Sequence, residues 1–401
     1  MAEINKYWIF AGEASGDIYG ARLAEELRTL AAASGRQVEI SGMGGPMMKQ
    51  AGINILIDSS ELGVVGLIEV LKHIFKFIRI FFFLVNKAKA EKPDAIILID
   101  YPGFNLRFAA AMYKYKIPVI WYISPHVWTW GKKRIPKLAK FCRKMLVIFP
   151  FEPEVYAGTG LDTVFVGHPL VDIVALRRDP SIERDPDTVL LLPGSRGMEI
   201  SRLLQPMLGT ALLLSRKHPN LKFVISTPRE KILDHCREIL EKFTAAHASE
   251  KMPEIKLVCG DTAYWQQRAA TGLAASGTVT VESAIAGLPL VVAYKLNFLT
   301  LVVAGILVRL YRGFFTMVNI IADKEVFEEY LQWKASPENL AAAVERILPD
   351  GERRHEVEEE MKEVVRMLSG GSEGACRKAA LSCFDFVMEE NKRKMLEQNS
   401  N

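Results

Sequence analysis

The sequence predicts an α/β protein built as two successive doubly wound halves, each a parallel sheet covered by helices on both faces. Three observations carry that reading. Short apolar runs alternate with segments of helical spacing. Several of the runs end in turns of small residues. The whole pattern stops in a charged stretch and then starts again. A chain of 401 residues is long for one domain and comfortable for two.

Tyr7 to Ala11 reads as the first strand, followed by a helix over Ile18 to Ala31 with Leu23, Leu27 and Leu30 on one side. Val38 to Ser41 is the next strand, closed by a turn at Gly42, Gly44 and Gly45. Ala95 to Ile99, Val119 to Ile123 and Met145 to Phe149 are buried strands by composition. Between Asp172 and Asp187 the chain becomes charged and proline-bearing, so a linker is expected there. The second half carries strands at Val189 to Leu192, Lys222 to Ser226, Ile255 to Val258, Leu273 to Ala275 and Leu290 to Tyr294, with a helix from Glu199. From Pro337 the tail reads as helices rich in Glu, Lys and Arg. The expected division is 1–180, 181–345 and a helical tail 346–401 that packs back on the first domain or on a partner subunit. Two such halves make a cleft between them the natural ligand site.

At 49% hydrophobic and 24% charged, the chain can bury a full core and is not disordered. A net charge of +4 argues against a dedicated nucleic-acid binder. The five cysteines form no CxxC pair, which fits a reducing compartment and gives no zinc pattern. Met1 to Trp8 lacks an apolar signal core, and no run of about 18 uncharged apolar residues occurs. The expectation is a cytoplasmic protein without a transmembrane helix.

Leu192-Pro193-Gly194-Ser195-Arg196 opens the second half. Gly194 permits a tight turn, Ser195 can cap a helix beginning near Met198, and free N–H groups at a helix start attract phosphate. Arg196 adds a fork-shaped cation, as departure of a diphosphate requires. The plainer alternative is an ordinary strand-to-helix turn with a surface arginine. Ala275-Ser276-Gly277-Thr278 is a second turn of this kind, with Glu282 placed to accept bonds from ribose hydroxyls or to serve only as a favourable helix acid. In the first half, Gly12, Gly16 and Gly20 do not make the GxGxxG dinucleotide fingerprint. Glu13, Ser15 and Asp17 nonetheless follow the first strand, where sites of such sheets lie, and Asp17 also suits helix capping. Asp100 follows a buried strand, so it can take a proton from an attacking hydroxyl or cap the next helix. Ser124 to Trp130 is an aromatic loop that fits a sugar, an acyl chain or simple edge packing, with Lys132, Lys133 and Arg134 behind it. His168 reads as structural. Asp185-Pro186-Asp187 resembles a metal-binding DxD pattern but reads as linker, so no metal is expected.

Val64 to Val85 is strongly apolar, yet places Lys72, Lys76 and Arg79 on one helical face. Phe75, Phe77, Ile78, Phe81, Phe82 and Phe83 cover much of the rest. Such a basic amphipathic helix suits an anionic membrane surface, or a helix buried between domains with snorkelling cations. A second apolar run, Phe298 to Val308, is too short to span a bilayer and ends in Arg309 and Arg312. Together the two runs point toward a lipid substrate.

Taken in order, these segments resemble the lipid-A-disaccharide synthase family of Gram-negative outer-membrane biogenesis. The matching residues are Ala11 to Asp17, Asp100-x-Pro102-x-Phe104-Asn105, Tyr122-x-Ser124-Pro125-x-x-Trp128-x-Trp130 and Pro150-Phe151-Glu152. They continue through Phe165 to Leu170, Leu192 to Arg196, Ala275 to Thr278, and Asn319 with Glu329 and Gln332. The resemblance implies a GT-B architecture, two Rossmann-like domains facing a cleft with C-terminal helices crossing back. It implies inverting transfer from UDP-2,3-diacylglucosamine to 2,3-diacylglucosamine 1-phosphate. The products are a β-1,6-linked disaccharide 1-phosphate and UDP, and no cofactor or metal is needed. Asp100 then suits the base on the acceptor hydroxyl, with Glu13 as rival or helper. Gly194, Ser195 and Arg196 hold the diphosphate. Ser276, Glu282 and Asn319 contact the nucleotide, with Gly277, Thr278, Glu329 and Gln332 beside them. Ser15, Asp17, Asn105, Ser124 and Trp128 fall in the acceptor-side loops. The family also implies peripheral attachment to the cytoplasmic face of the inner membrane through 64–85, with 298–312 as a second contact, and allows a homodimer. The chain departs from the family where Phe327-Glu328 precede Glu329 and where Val318 precedes Asn319.

Overall fold

Strand β1 (Ile4–Ala11) lies inside the first sheet because Tyr7 to Ala11 are apolar without interruption and fully buried. The computed structural model describes residues 4–59, 67–128, 131–295 and 313–399, with backbone alone for 67–74 and 398–399. On one side of β1 pair β2 (Gln37–Gly44) and then β3 (Asn54–Asp58). On the other follow β4 (Ala95–Ile99), β5 (Val119–Tyr122), β6 (Lys144–Val147) and β7 (Asp162–Phe165). The order is β3-β2-β1-β4-β5-β6-β7, every pair parallel. The chain therefore walks outward from β1, returns to β4 and walks out the other way. The helices on this sheet include α1 (Ala14–Ala33), α2 (Pro46–Gln50), α3 (Leu67–Glu91), α4 (Pro102–Lys114), α5 (Ile135–Phe141) and α6 (Glu152–Val155).

The second sheet repeats the plan. It contains β8 (Asp185–Leu192), β9 (Lys222–Thr227), β10 (Ile255–Cys259), β11 (Ala269–Ala275), β12 (Leu290–Tyr294) and β13 (Glu328–Leu331), in the order β10-β9-β8-β11-β12-β13. Its helices include α7 (Pro169–Arg177), α8 (Gly197–Lys217), α9 (Glu230–Ala246), α10 (Thr262–Arg268), α11 (Thr278–Ile285), α12 (Met317–Ala322), α13 (Pro337–Arg346) and α14 (Arg354–Leu368). The last helix, α15 (Ala375–Asn399), packs on α1. Each sheet is Rossmann-like. Three strands absent from the sequence reading, β3, β7 and β13, all lie at sheet edges. Their residues are mostly half-exposed, so they lack the unbroken apolar signal of inner strands.

The two compact units are Met1–Pro169 with Leu368–Asn401, and Leu170–Met367. The first boundary precedes residue 180 because the stretch read as linker is structured. Gln267 accepts from the Asp179 N–H at 2.8 Å and donates to the Arg177 carbonyl at 3.3 Å. Asp185 and Asp187 open strand β8, where Asp185 accepts from Thr188 Oγ1 at 3.0 Å and faces Arg268 at 3.5 Å. The tail also divides. Arg354 of α14 donates to the Ala270 carbonyl at 2.6 Å in the second unit. In the first unit, Glu390 of α15 meets Arg143 at 3.0 Å and Arg377 meets Glu26 at 3.4 Å.

Helix α3 packs Ile80, Leu84, Val85 and Ala88 into the core of the first unit, with Phe77 and Phe81 against it. Phe81 stands edge-on to Phe104 and Phe108. The opposite side exposes Phe75 (78%), Ile78 (45%), Phe82 (59%) and Phe83 (48%). Phe77 and Phe81 thus belong to the core rather than to the outward apolar face. Among the described residues no helix is long and apolar enough to cross a membrane. The run Phe298 to Val308, with Arg309 and Arg312, lies outside the described residues.

Asp17 joins α1 to the following layer. Its buried carboxylate accepts from the N–H groups of Gly45 (2.7 Å), Met47 (2.9 Å) and Met48 (3.0 Å) at the start of α2. Asp17→Ala strands these three donors, two of them in fully buried bonds. We expect a loss of about 3 kcal/mol or more in urea unfolding. A loss below about 1 kcal/mol would show that these bonds add little to the stability of the fold.

Candidate active site

In a parallel sheet the crevice for a ligand opens at the carboxyl ends of the strands where the order reverses. In the first unit that place lies between β1 and β4. The turn after β1 supplies Glu13 and the first turn of α1 supplies Ser15, both exposed, and the turn after β4 supplies Asp100 and Tyr101. With Gly16, Tyr19, Ile99 and Ile123 these residues line a small pocket of about 30 Å³. That is room for a hydroxyl-bearing group and not for a sugar ring.

The backbone under this pocket is strained. Asp100 (φ 42°), Tyr101 (φ 47°) and Ile123 (φ 66°) all adopt the left-handed conformation. Asn105 of α4 secures the first two. Its side-chain N–H donates to the carbonyls of Asp100 at 2.8 Å and Ile99 at 3.3 Å. The Tyr101 ring lies across Gly12, where a Cβ would sit 2.4 Å from the ring, so the close approach requires glycine. The Asp100 carboxyl is pushed up to about 6, first by burial and then by the negative Glu13, while the Tyr101 N–H pulls the other way. Burial, and then Glu13, also raises the Tyr101 phenol.

The neighbouring loop is held from below. Ser124 Oγ donates to the Pro125 carbonyl at 3.0 Å and shares a 2.7 Å hydrogen bond with the Tyr156 hydroxyl. Trp128 stands edge-on to Phe151, with ring centres 5.2 Å apart, and packs beside His126 at 5.4 Å. Thr129 and Trp130 lie outside the described residues. Glu152 beneath the loop accepts from the Ile148 and Phe149 N–H groups, and burial pushes it up to about 7. His168 is buried against Tyr19, and burial pushes it down to about 3, so it is a neutral structural residue.

In the second unit the order reverses between β8 and β11. A pocket of about 280 Å³ opens there, lined by Gly194, Ser195, Glu199, Ser276, Gly277, Thr278 and Glu282, with Ser226 and Thr262 at its side. Helix α8 begins at Gly197 with Arg196 at its cap position, and no side-chain cap bond forms. Ser195 is therefore not the cap. Burial raises the Glu282 carboxyl, and Arg177 opposes the rise. Glu199, which the sequence reading left without a role, lies across Gly194. Gly194 has φ +110°, and a Cβ there would sit 2.1 Å from the Glu199 carboxylate. The signal for it was present, since it stands three residues past the helix cap, where an acid reaches back to the first turn.

Asn319 and Glu329 form an internal brace. Asn319 Nδ2 donates to the Phe327 carbonyl at 2.7 Å and to Glu329 at 2.9 Å, and its Oδ1 accepts from the Phe327 N–H at 2.9 Å. Glu329 also accepts from the N–H groups of Phe315 (2.9 Å) and Thr316 (2.7 Å). Neither residue is among those lining the pocket. They act through the 313–316 loop, whose Phe315 carbonyl accepts from Ser276 Oγ at 3.4 Å. Gln332 has φ +54° and a buried side-chain N–H₂ without a partner in the structure.

A family model described as lipid-A-disaccharide synthetase matches residues 7–383. A lipid-A-disaccharide synthase of Anaeromyxobacter dehalogenans is 38% identical over 373 residues, covering 92% of this chain and 94% of its own. One from Trichlorobacter lovleyi is 38% identical over 382 residues, at 93% and 95%. One from Coxiella burnetii is 35% identical over 360 residues, at 87% and 90%. Among solved structures, a putative UDP-N-acetylglucosamine 2-epimerase from Listeria monocytogenes superposes with a TM-score of 0.64 at 14% identity, covering 97% and 98%. A Glycyrrhiza uralensis protein complexed with glycyrrhetinic acid 3-O-monoglucuronide gives 0.62 at 11%, covering 100% and 99%. These two show the shared GT-B fold.

Glu329→Ala removes the acceptor shared by Phe315, Thr316 and Asn319. We expect a loss of about 2–4 kcal/mol of stability in thermal or urea unfolding. Unchanged stability would show that the brace carries no weight.

Proposed function

The chain belongs to the lipid-A-disaccharide synthase family, glycosyltransferases of lipid A biosynthesis, and from that premise we propose that it performs a single inverting displacement on acylated sugars. The donor is UDP-2,3-diacylglucosamine and the acceptor 2,3-diacylglucosamine 1-phosphate. The acceptor 6-hydroxyl oxygen bonds to the anomeric carbon of the donor. The bond from that carbon to the diphosphate oxygen breaks, and its electron pair leaves with UDP. The hydroxyl proton passes to Asp100.

One observation carries this reading: a carboxyl held in a pocket of hydroxyl size, with its proton affinity raised to about 6. At neutral pH such a group is ionised yet basic enough to take a proton in the transition state. Glu13 raises that basicity by repulsion, and in this reading it helps Asp100. The leaving UDP has its support in the second unit, from the Ser195–Arg196 and Ser276–Thr278 turns, the Arg196 cation and Glu282 toward the ribose. Gln332 supplies a free amide donor. Asp17, Asn105, Asn319 and Glu329 hold the turns in shape. Ser15 lines the acceptor pocket, and Ser124 and Trp128 shape the adjoining loop.

The substrates are lipids, and the exposed face of α3 supports collecting them from a membrane. Phe75, Ile78, Phe82 and Phe83 form an apolar strip on the solvent side, with Lys76 and Arg79 exposed among them. Aromatic residues beside cations suit an anionic lipid surface, here the cytoplasmic face of the inner membrane.

Asp100→Asn should lower turnover by about 10²–10⁴ while UDP still binds. The wild-type rate should fall as pH drops through about 6, and Glu13→Gln should move that limb to lower pH by removing the repelling charge. Loss of turnover in Glu13→Gln with near-normal turnover in Asp100→Asn would make Glu13 the base instead. UDP release that needs no acylated acceptor would overturn the transfer itself. Phe82→Ser with Phe83→Ser should release the protein from anionic vesicles without loss of fold, whereas Phe81→Ser should lower stability. Undiminished vesicle binding by the double variant would remove α3 as the docking face.

A further inference from the structure

The pocket between β8 and β11 already holds a carboxylate of the protein itself. The Glu199 carboxylate lies over Gly194, close enough that a Cβ at that position would be 2.1 Å from its oxygen and 2.5 Å from its carboxyl carbon. It lines the same pocket as Ser276, Gly277 and Thr278. The backbone N–H groups of Ser195 and Arg196, together with the Arg196 cation, hold its pKa down against burial, which raises it on balance. A helix start presents such N–H groups to whatever anion is near. Here that anion is Glu199, three residues further along the same chain.

We propose that Glu199 is an internal surrogate for the diphosphate, competing with UDP for the Ser195 and Arg196 donors and so weakening product binding. The inference rests on the reading of this pocket as the UDP site. The carboxylate bonds to these N–H groups and so holds the turn in shape. Two anions cannot share those donors at close range without repulsion. Diphosphate must therefore push the carboxylate aside, and the carboxylate returns as UDP leaves. The arrangement trades nucleotide affinity for product release. The residue does not touch the reacting carbon, so its effect belongs to binding and release rather than to bond breaking.

The test measures UDP affinity by calorimetry on the full-length protein. Glu199→Gln keeps size and an acceptor oxygen but removes the charge, so UDP should bind about tenfold or more tightly. Glu199→Ala should also tighten binding, with some loss of thermal stability because the turn loses its cap. Steady-state turnover of Glu199→Gln should become more sensitive to inhibition by added UDP. Weaker or unchanged UDP affinity in Glu199→Gln would overturn the proposal and leave Glu199 a structural cap. Arg196→Ala is the control for the underlying reading, and it should weaken UDP binding. If Arg196→Ala leaves UDP affinity untouched, the Ser195–Arg196 turn does not hold the diphosphate and both readings fail. If it weakens binding while Glu199→Gln does not strengthen it, only the surrogate role falls.

Discussion

The parallel ladder is the constraint on which the rest of this molecule depends. It sends every strand's carboxyl end to one edge, and wherever the strand order turns back, two neighbouring turns diverge and leave a crevice. Both sheets turn back once, beside β1 in the first and beside β8 in the second. The chemically loaded turns follow from that placement. Glu13 and Asp100 come after the adjacent strands β1 and β4, and Ser195 and Ser276 after the adjacent strands β8 and β11. Residues distant in sequence meet because their strands are neighbours in the ladder.

The supply of N–H donors separates the carboxylates that brace the turns from those that line the two pockets. Asp17 accepts from three backbone N–H groups, and Glu329 from two with the Asn319 amide besides. In both, the bonds run to backbone or side chains of the protein's own turns. Asp100 is half-buried with one N–H in its favour and a negative neighbour, and its pKa rises to about 6. Glu282 is raised by burial as well, with Arg177 in opposition. The two glycines that matter most serve this economy of space. Gly12 leaves room for the Tyr101 ring, and Gly194 leaves room for the Glu199 carboxylate.

Packing phase decides a comparable question on α3. Its phenylalanines spread well beyond one face, so composition alone offers Phe75, Phe77, Phe81, Phe82 and Phe83 as equals. Docking on the sheet assigns Phe77 and Phe81 to the core and turns the other three outward. The exposed cations Lys76 and Arg79 then share the outward side with the exposed aromatics, which suits an interfacial helix rather than a spanning one.

The sequence by itself determined the inner strands, the restart of the pattern and the turns that line the two pockets. Each of these is a local property: an unbroken apolar run for a strand buried on both faces, and glycine with a polar residue where the chain must turn sharply. It did not determine three of the four edge strands, β3, β7 and β13, whose half-exposed residues dilute the apolar signal. Nor did it separate Asn105, Asn319 and Glu329, which brace their turns, from Asp100, which lies open to a pocket. It also passed over Glu199, although Glu199 stands only three residues from Arg196. What a carboxylate does depends on which N–H groups and charges surround it, and those come from segments brought together only by the fold. Tertiary structure decided the roles because they depend on neighbours in space, while local sequence fixes only neighbours along the chain.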